Sequence, residues 1–138
     1  MCAVKKVDVK KDFKELYGVS KGDPVLVDVP PMNYLMIDRI GDPNSSKEYA
    51  DAVEALYAVS YTVKFAVQRG ELAIDYRVMP LEGLWWADDM SRFVADDKSR
   101  WRWTMMIMQP AFVTPDLIRN ALTEIDKKKD LPALPLLR

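Results

Sequence analysis

All four tryptophans of this 138-residue chain fall in two short apolar segments, Leu84-Trp85-Trp86 and Trp101-Arg102-Trp103. The charged stretch between them, Ala87 to Arg100, lets the segments return on each other as a hairpin. Flat aromatic faces bind planar or cationic organic molecules through stacking, dispersion and cation–π attraction, at roughly 0.5 to 2 kcal/mol per contact. Tyr57, Tyr61 and Phe65 add a second aromatic row, each four residues on, and Met79 with the Met105 to Met108 run adds adaptable apolar walls. Glu82 stands just before the tryptophans, at a bend broken by Pro80 and Gly83. A carboxylate there would meet a cationic ligand, or act as general base if desolvation raised its pKa. The plainer readings are that the aromatics fill a core and that Glu82 is an exposed turn residue. Against the first, so many buried phenol and indole groups need hydrogen-bond partners. Core and pocket therefore stay open as alternatives.

Other chemistries are harder to build. The chain has no histidine, which removes the commonest general base and the usual zinc ligand. Metal motifs, Gly-rich phosphate loops and nucleophile elbows are absent, and no cofactor is expected. The acid pairs Asp88-Asp89 and Asp96-Asp97 lie in the polar loop between the tryptophan segments and read as solvated. A single cysteine, Cys2, excludes an internal disulfide and reads as an exposed terminal thiol. A net charge of -1 gives no electrostatic reason to seek nucleic acid. No uninterrupted apolar run reaches membrane-spanning length, so a soluble cytoplasmic protein is expected, with no membrane or nucleic-acid partner.

The elements that must position these residues follow from pattern. Residues 1–22 read as a peripheral lysine-rich arm, with one helical turn near Asp12 to Tyr17 stopped by Gly18; residues 23–138 read as the domain. Val25–Val29 and Met32–Ile40 are β-branched and apolar runs bounded by proline and glycine, the second expected as a central strand. Ser45-Ser46-Lys47-Glu48 offers a capping box with Ser45 as cap. From Tyr49 to Val67 apolar residues recur every three or four positions, as one helical face does, and Gly70 ends the helix. Ile74, Tyr76 and Val78 alternate as a strand, whereas Trp101 to Gln109 is apolar on both parities and is expected to be covered on both sides. Thr114-Pro115-Asp116 opens a second helix with Leu117, Ile118, Ala121, Leu122 and Ile125 inward. Leu134-Pro135-Leu136-Leu137-Arg138 looks like the beginning of a further strand. The expected class is α+β: an antiparallel sheet with two helices on one face, in the order β-α-β-β-α-(β).

Three segments together resemble the GyrI-like small-molecule-binding proteins: Leu56 to Phe65 (LYAVSYTVKF), Met79 to Trp86 (MPLEGLWW) and Trp101 to Pro110 (WRWTMMIMQP). The resemblance runs from about Tyr34 to Arg138. It implies two β-α-β-β modules related by a pseudo-twofold axis, with a groove between them for hydrophobic or cationic organic compounds. Relatives serve as drug-sensing domains of transcription regulators, as a gyrase-inhibiting protein and, in the Trp-Trp-bearing branch that this chain most resembles, as hydrolases that open cyclopropane-containing genotoxins. By that resemblance Tyr61, Trp85, Trp86 and Trp103 line the pocket, and Tyr61 polarises the substrate. Tyr57, Phe65, Glu82 and Met105 complete the expected ligand-binding set. Family members continue into a second module bearing an acid that meets the ligand or activates water, and Arg138 falls where that module is expected to start. Hydrolysis is expected to need it. The alternative is a structural or interaction module whose aromatics are core and whose apolar edge mediates homodimerisation.

Overall fold

The structure is a computed structural model that describes residues 4–93 and 97–138, apart from the side chain of Arg92. Cys2 and Asp96 lie outside the described residues. In chain order the elements are β1 (Lys5–Lys6), α1 (Val9–Asp12), α2 (Lys14–Tyr17), β2 (Asn33–Ile40), α3 (Lys47–Arg69), β3 (Ile74–Asp75), β4 (Leu81–Trp86), β5 (Arg102–Gln109) and α4 (Pro115–Lys128). The fold is mixed helix and sheet. Its main sheet is three-stranded and antiparallel in the order β2-β5-β4.

Both parities of β5 are apolar, and that decides its place. Trp103, Met105 and Ile107 are buried on one face, Thr104 and Met108 on the other, so β5 is the central strand. The run expected to be central, Met32–Ile40, forms β2 beside it. On the far side of β2, Met36 and Arg138 exchange both backbone hydrogen bonds, at 2.8 and 2.9 Å, the arrangement of a close antiparallel pair. The Arg138 guanidinium also meets the Asp38 carboxylate at 2.7 Å.

Helix α3 is capped by Ser46, whose hydroxyl accepts from the Tyr49 amide at 3.4 Å, not by Ser45. Glu48 does not reach back to the cap, because its carboxylate accepts from Arg39 of β2 at 2.9 Å. The stripe Ala52, Ala55, Leu56, Val59, Val63 and Val67 is buried within the core it shares with Leu35, Ile37, Trp103 and Ile107. Gln109 at the end of β5 donates to the Ser60 hydroxyl of α3 at 3.3 Å, which marks the sheet face that α3 covers. Thr114 caps α4 as its sequence indicates, accepting from the Leu117 amide at 3.3 Å, and α4 packs alongside α3 with Ala121 and Ile125 buried.

Two expected strands are corrected. Val25–Val29 forms no regular structure, pairs with no strand among the described residues, and every residue of it is exposed. Of Ile74 to Val78 only Ile74–Asp75 pairs, in parallel with β1. The arm is docked rather than peripheral. Lys5–Lys6 supplies that pairing strand, Val9 is buried in the core, and Tyr17 reaches β4. Leu134–Leu136 is a 3-10 turn ahead of the Arg138 contact.

Candidate functional site

The register of the sheet sorts its side chains into two faces. Trp85 lies opposite Trp103, which lies opposite Arg39; Leu81 lies opposite Ile107, which lies opposite Leu35. This is the helix-covered face, and it takes the largest rings. Trp103 is fully buried, with Tyr49 of α3 edge-on at 5.4 Å and Trp85 at 6.5 Å. Trp101 continues the cluster, 6.3 Å from Trp85 and stacked on Phe93 at 4.4 Å. Trp85 can lie flat here because residue 83 has no side chain: a Cβ on Gly83 would stand 2.8 Å from the Trp85 Nε1 and 2.9 Å from the Met105 Sδ.

The opposite parity builds the outer face. Its cross-strand rows are Met36, Met106 and Glu82; Asp38, Thr104 and Leu84; Ile40, Arg102 and Trp86; with Tyr34 opposite Met108. Leu84 and Ile40 are 51% and 46% exposed, so an apolar sheet surface lies open here, with Trp86, Met36 and Met106 half-buried beside it. A few polar groups converge on it. The Tyr17 hydroxyl donates to the Glu82 carboxylate at 3.0 Å. Burial, then the hydrogen bond to Glu82 and its charge, hold the Tyr17 phenol well above its usual pKa. Tyr34 is raised as well, by burial and by the Glu82 charge. Both phenols are therefore neutral donors across the working pH range. Thr104 donates to Asp38, and Arg102 meets Asp88 at 2.6 Å. At the Trp86 end of the sheet a cavity of about 330 Å³ opens among Asp38, Arg39, Ile40, Glu48, Arg102 and Trp103.

The eight residues expected to share one groove occupy three places. Glu82 and Trp86 are on the outer face. Trp85, Trp103 and Met105 are on the helix-covered face, Trp103 and Met105 with almost no exposure. Tyr57, Tyr61 and Phe65 run along α3, and Tyr61 and Phe65 line a cleft against α4. The physical reason is the period of two along a strand: Trp85 and Trp86 are neighbours in sequence and must point to opposite faces. Sequence reasoning missed Tyr17 and Tyr34. Tyr17 is 65 residues from Glu82, and no local pattern signals the contact. Tyr34 was detectable, since it alternates with Leu35 in a strand.

No protein-family model and no curated protein matches the chain. Solved structures do. An uncharacterized conserved protein from Listeria innocua is 36% identical with a TM-score of 0.84, over 96% of this chain and 64% of that one. A hydrolase from L. innocua is 38% identical with a TM-score of 0.83, over 97% of this chain and 65% of its own. A further solved structure, of a hydrolase from L. innocua, is 36% identical at a TM-score of 0.78, over 96% of this chain and 65% of that one. The chain thus shares its fold with these proteins and spans slightly less than two thirds of their length. Among the described residues no helix is long and apolar enough to cross a membrane.

Proposed function

We propose that the outer sheet face is this chain's share of a binding site for a flat, apolar or cationic organic molecule, and that Glu82 is its acid. The observation that carries this reading is the Tyr17–Glu82 hydrogen bond at 3.0 Å on a sheet face that leaves Leu84 and Ile40 exposed and Trp86 half-buried. An exposed apolar surface with a small number of converging polar groups is the usual make-up of a ligand site. Trp86 supplies a ring for stacking, and the Glu82 carboxylate supplies the counter-charge for a cation.

Hydrolysis extends the same reading, supported by the two solved L. innocua hydrolase structures of this fold and by the segments that resemble GyrI-like cyclopropane-opening enzymes. Glu82 would take a proton from water as its oxygen bonds to the electrophilic ring carbon. The strained carbon–carbon bond breaks, its electron pair passes into the conjugated acceptor, and a proton restores neutrality there. Tyr17 donates its one phenolic proton to the carboxylate and holds it in place, and Tyr34, a neutral phenol near by, is the donor left for substrate or water. In this reading Glu82 takes the chemical role that the resemblance gives to the acid of the second module.

The test is a titration of the full-length protein with a planar aromatic cation, read by tryptophan fluorescence. Saturable quenching is expected. It should weaken about tenfold in Glu82→Gln, about 1.4 kcal/mol, and lose most of its amplitude in Trp86→Phe. Equal affinity in wild type and Glu82→Gln would remove the acid from the site. The absence of saturable quenching would favour the interaction-module alternative, in which Leu84 and Ile40 face another protein surface.

A further inference from the structure

We infer that the cleft between α3 and α4 is a second ligand site, built for a planar aromatic molecule that carries a negative charge. It encloses about 330 Å³ and is lined by Tyr61, Phe65, Arg69, Glu124, Lys128 and Lys129. That volume is at the lower end of small-molecule pockets, roughly 300 to 1,000 Å³. One wall is aromatic. Tyr57, Tyr61 and Phe65 stack in series along α3, with centroids 6.3 and 6.4 Å apart and planes within 28° and 27°. The core takes only the Tyr57 end of this row, since α3 buries a different stripe, and Tyr61 and Phe65 remain 47% and 43% exposed.

The rim sets the sign of the ligand. Arg69, Lys128 and Lys129 bring three positive charges against the single carboxylate of Glu124. Lys128 meets that carboxylate at 2.9 Å and, with a further contribution from Arg69, holds it below the usual carboxylate pKa, so the carboxylate is spoken for. Arg69 and Lys129 leave a positive excess beside the rings. Lys64 stands with its ammonium 4.9 Å from the Phe65 ring centre but is paired with Asp75 at 3.0 Å and adds no net charge. Cations near a helix C-terminus also complement the helix dipole, and that alone would account for Arg69, Lys128 and Lys129. It does not account for an exposed stacked aromatic wall facing them. A cationic ligand at Tyr61 would be repelled by this rim, whereas an aryl phosphate or aryl carboxylate finds a ring to stack on and charge to meet.

The probe is 2-naphthyl phosphate, followed by its own fluorescence anisotropy with the full-length protein, with 2-naphthol and inorganic phosphate as its separate parts. The phosphate ester is expected to bind at least about tenfold more tightly than either part. Lys129→Glu and Phe65→Ala should each weaken it by about tenfold, while Glu82→Gln leaves it unchanged and so separates this site from the sheet face. Both replaced residues are exposed, and circular dichroism verifies that the variants fold. Absence of saturable binding, naphthol binding as tightly as its phosphate, or affinity unaltered in both variants would each overturn the inference.

Discussion

Replacing Tyr76 with phenylalanine should leave the protein as stable or more stable at neutral pH, and less sensitive to alkali. The Tyr76 ring is 3% exposed and packs edge-on against Phe112 at 5.2 Å, so its apolar contacts survive the change. Its hydroxyl is buried with no hydrogen-bond partner among the described residues. A buried donor left unmatched costs about 1 to 3 kcal/mol, and removing it relieves that cost against the loss of a little packing. The same burial pushes the phenol pKa up to about 12 from 10.0. Because burial raises this pKa only by penalising the phenolate, stability is at its highest and flat below the unfolded pKa and falls as pH rises through the folded value. Two units correspond to about 2.7 kcal/mol in total. About half, ~1.4 kcal/mol, should be gone by about pH 11. Tyr17 and Tyr34 are raised too and act in the same direction, so the wild type loses more than this one share. The assay is urea unfolding of wild type and Tyr76→Phe near pH 7, 9 and 11. The variant should fall by ~1.4 kcal/mol less than wild type between the last two. A variant more than about 1 kcal/mol weaker at neutral pH would mean that the hydroxyl makes a stabilising bond, and the argument from burial would be refuted.

Two further substitutions probe how the elements are held. Gly83→Ala places a methyl group 2.8 Å from the Trp85 Nε1 and 2.9 Å from the Met105 Sδ, and should cost about 1 to 3 kcal/mol with a changed near-ultraviolet tryptophan signal; an unchanged signal and midpoint would show that Trp85 does not lie over residue 83. Thr114→Ala removes the side-chain cap of α4 and should lower unfolding stability by about 1 kcal/mol, whereas the same change at Ser45, which does not cap α3, should be nearly neutral.

What the sequence makes legible here is local. Thr114-Pro115-Asp116 carries its whole signal within three residues, and the structure caps α4 there. The two serines before α3 are equally good caps by type; Ser46 serves, and Glu48, which a capping box would turn back to the cap, pairs instead with Arg39 nine residues away on the preceding strand. Val25–Val29 has strand composition but no neighbour to pair with, and composition cannot supply one. The candidate site was harder to read for the same reason. Because β5 is apolar on both parities, the sequence left open which set of its side chains α3 would cover. The contact between Gln109 and Ser60, and that of Tyr49 with Trp103, fix the parity, and with it the separation of Trp86 from Trp85. Glu82 stood out in the sequence as an acid near aromatics. Its partner Tyr17 comes from an arm whose docking no periodicity announces.

The central place of β5 also governs the order in which the molecule can assemble. Neither β2 nor β4 pairs with the other; within the main sheet each bonds to β5 alone. As the chain leaves the ribosome, β2 therefore waits through α3, β3 and β4, with its apolar residues uncovered, until Arg102–Gln109 has been made. Helix α3 can form early from its own cap and stripe, but the main sheet cannot begin as a hairpin of its first two strands. The β4–β5 ladder is a hairpin of consecutive strands, whereas the β2–β5 ladder closes over the whole stretch that contains α3 and β4, the kind of contact that forms slowly relative to local structure. Until then Trp85 and Trp86 remain exposed, and during synthesis the tryptophan-bearing strand is the part of this fold most open to association with the wrong surface.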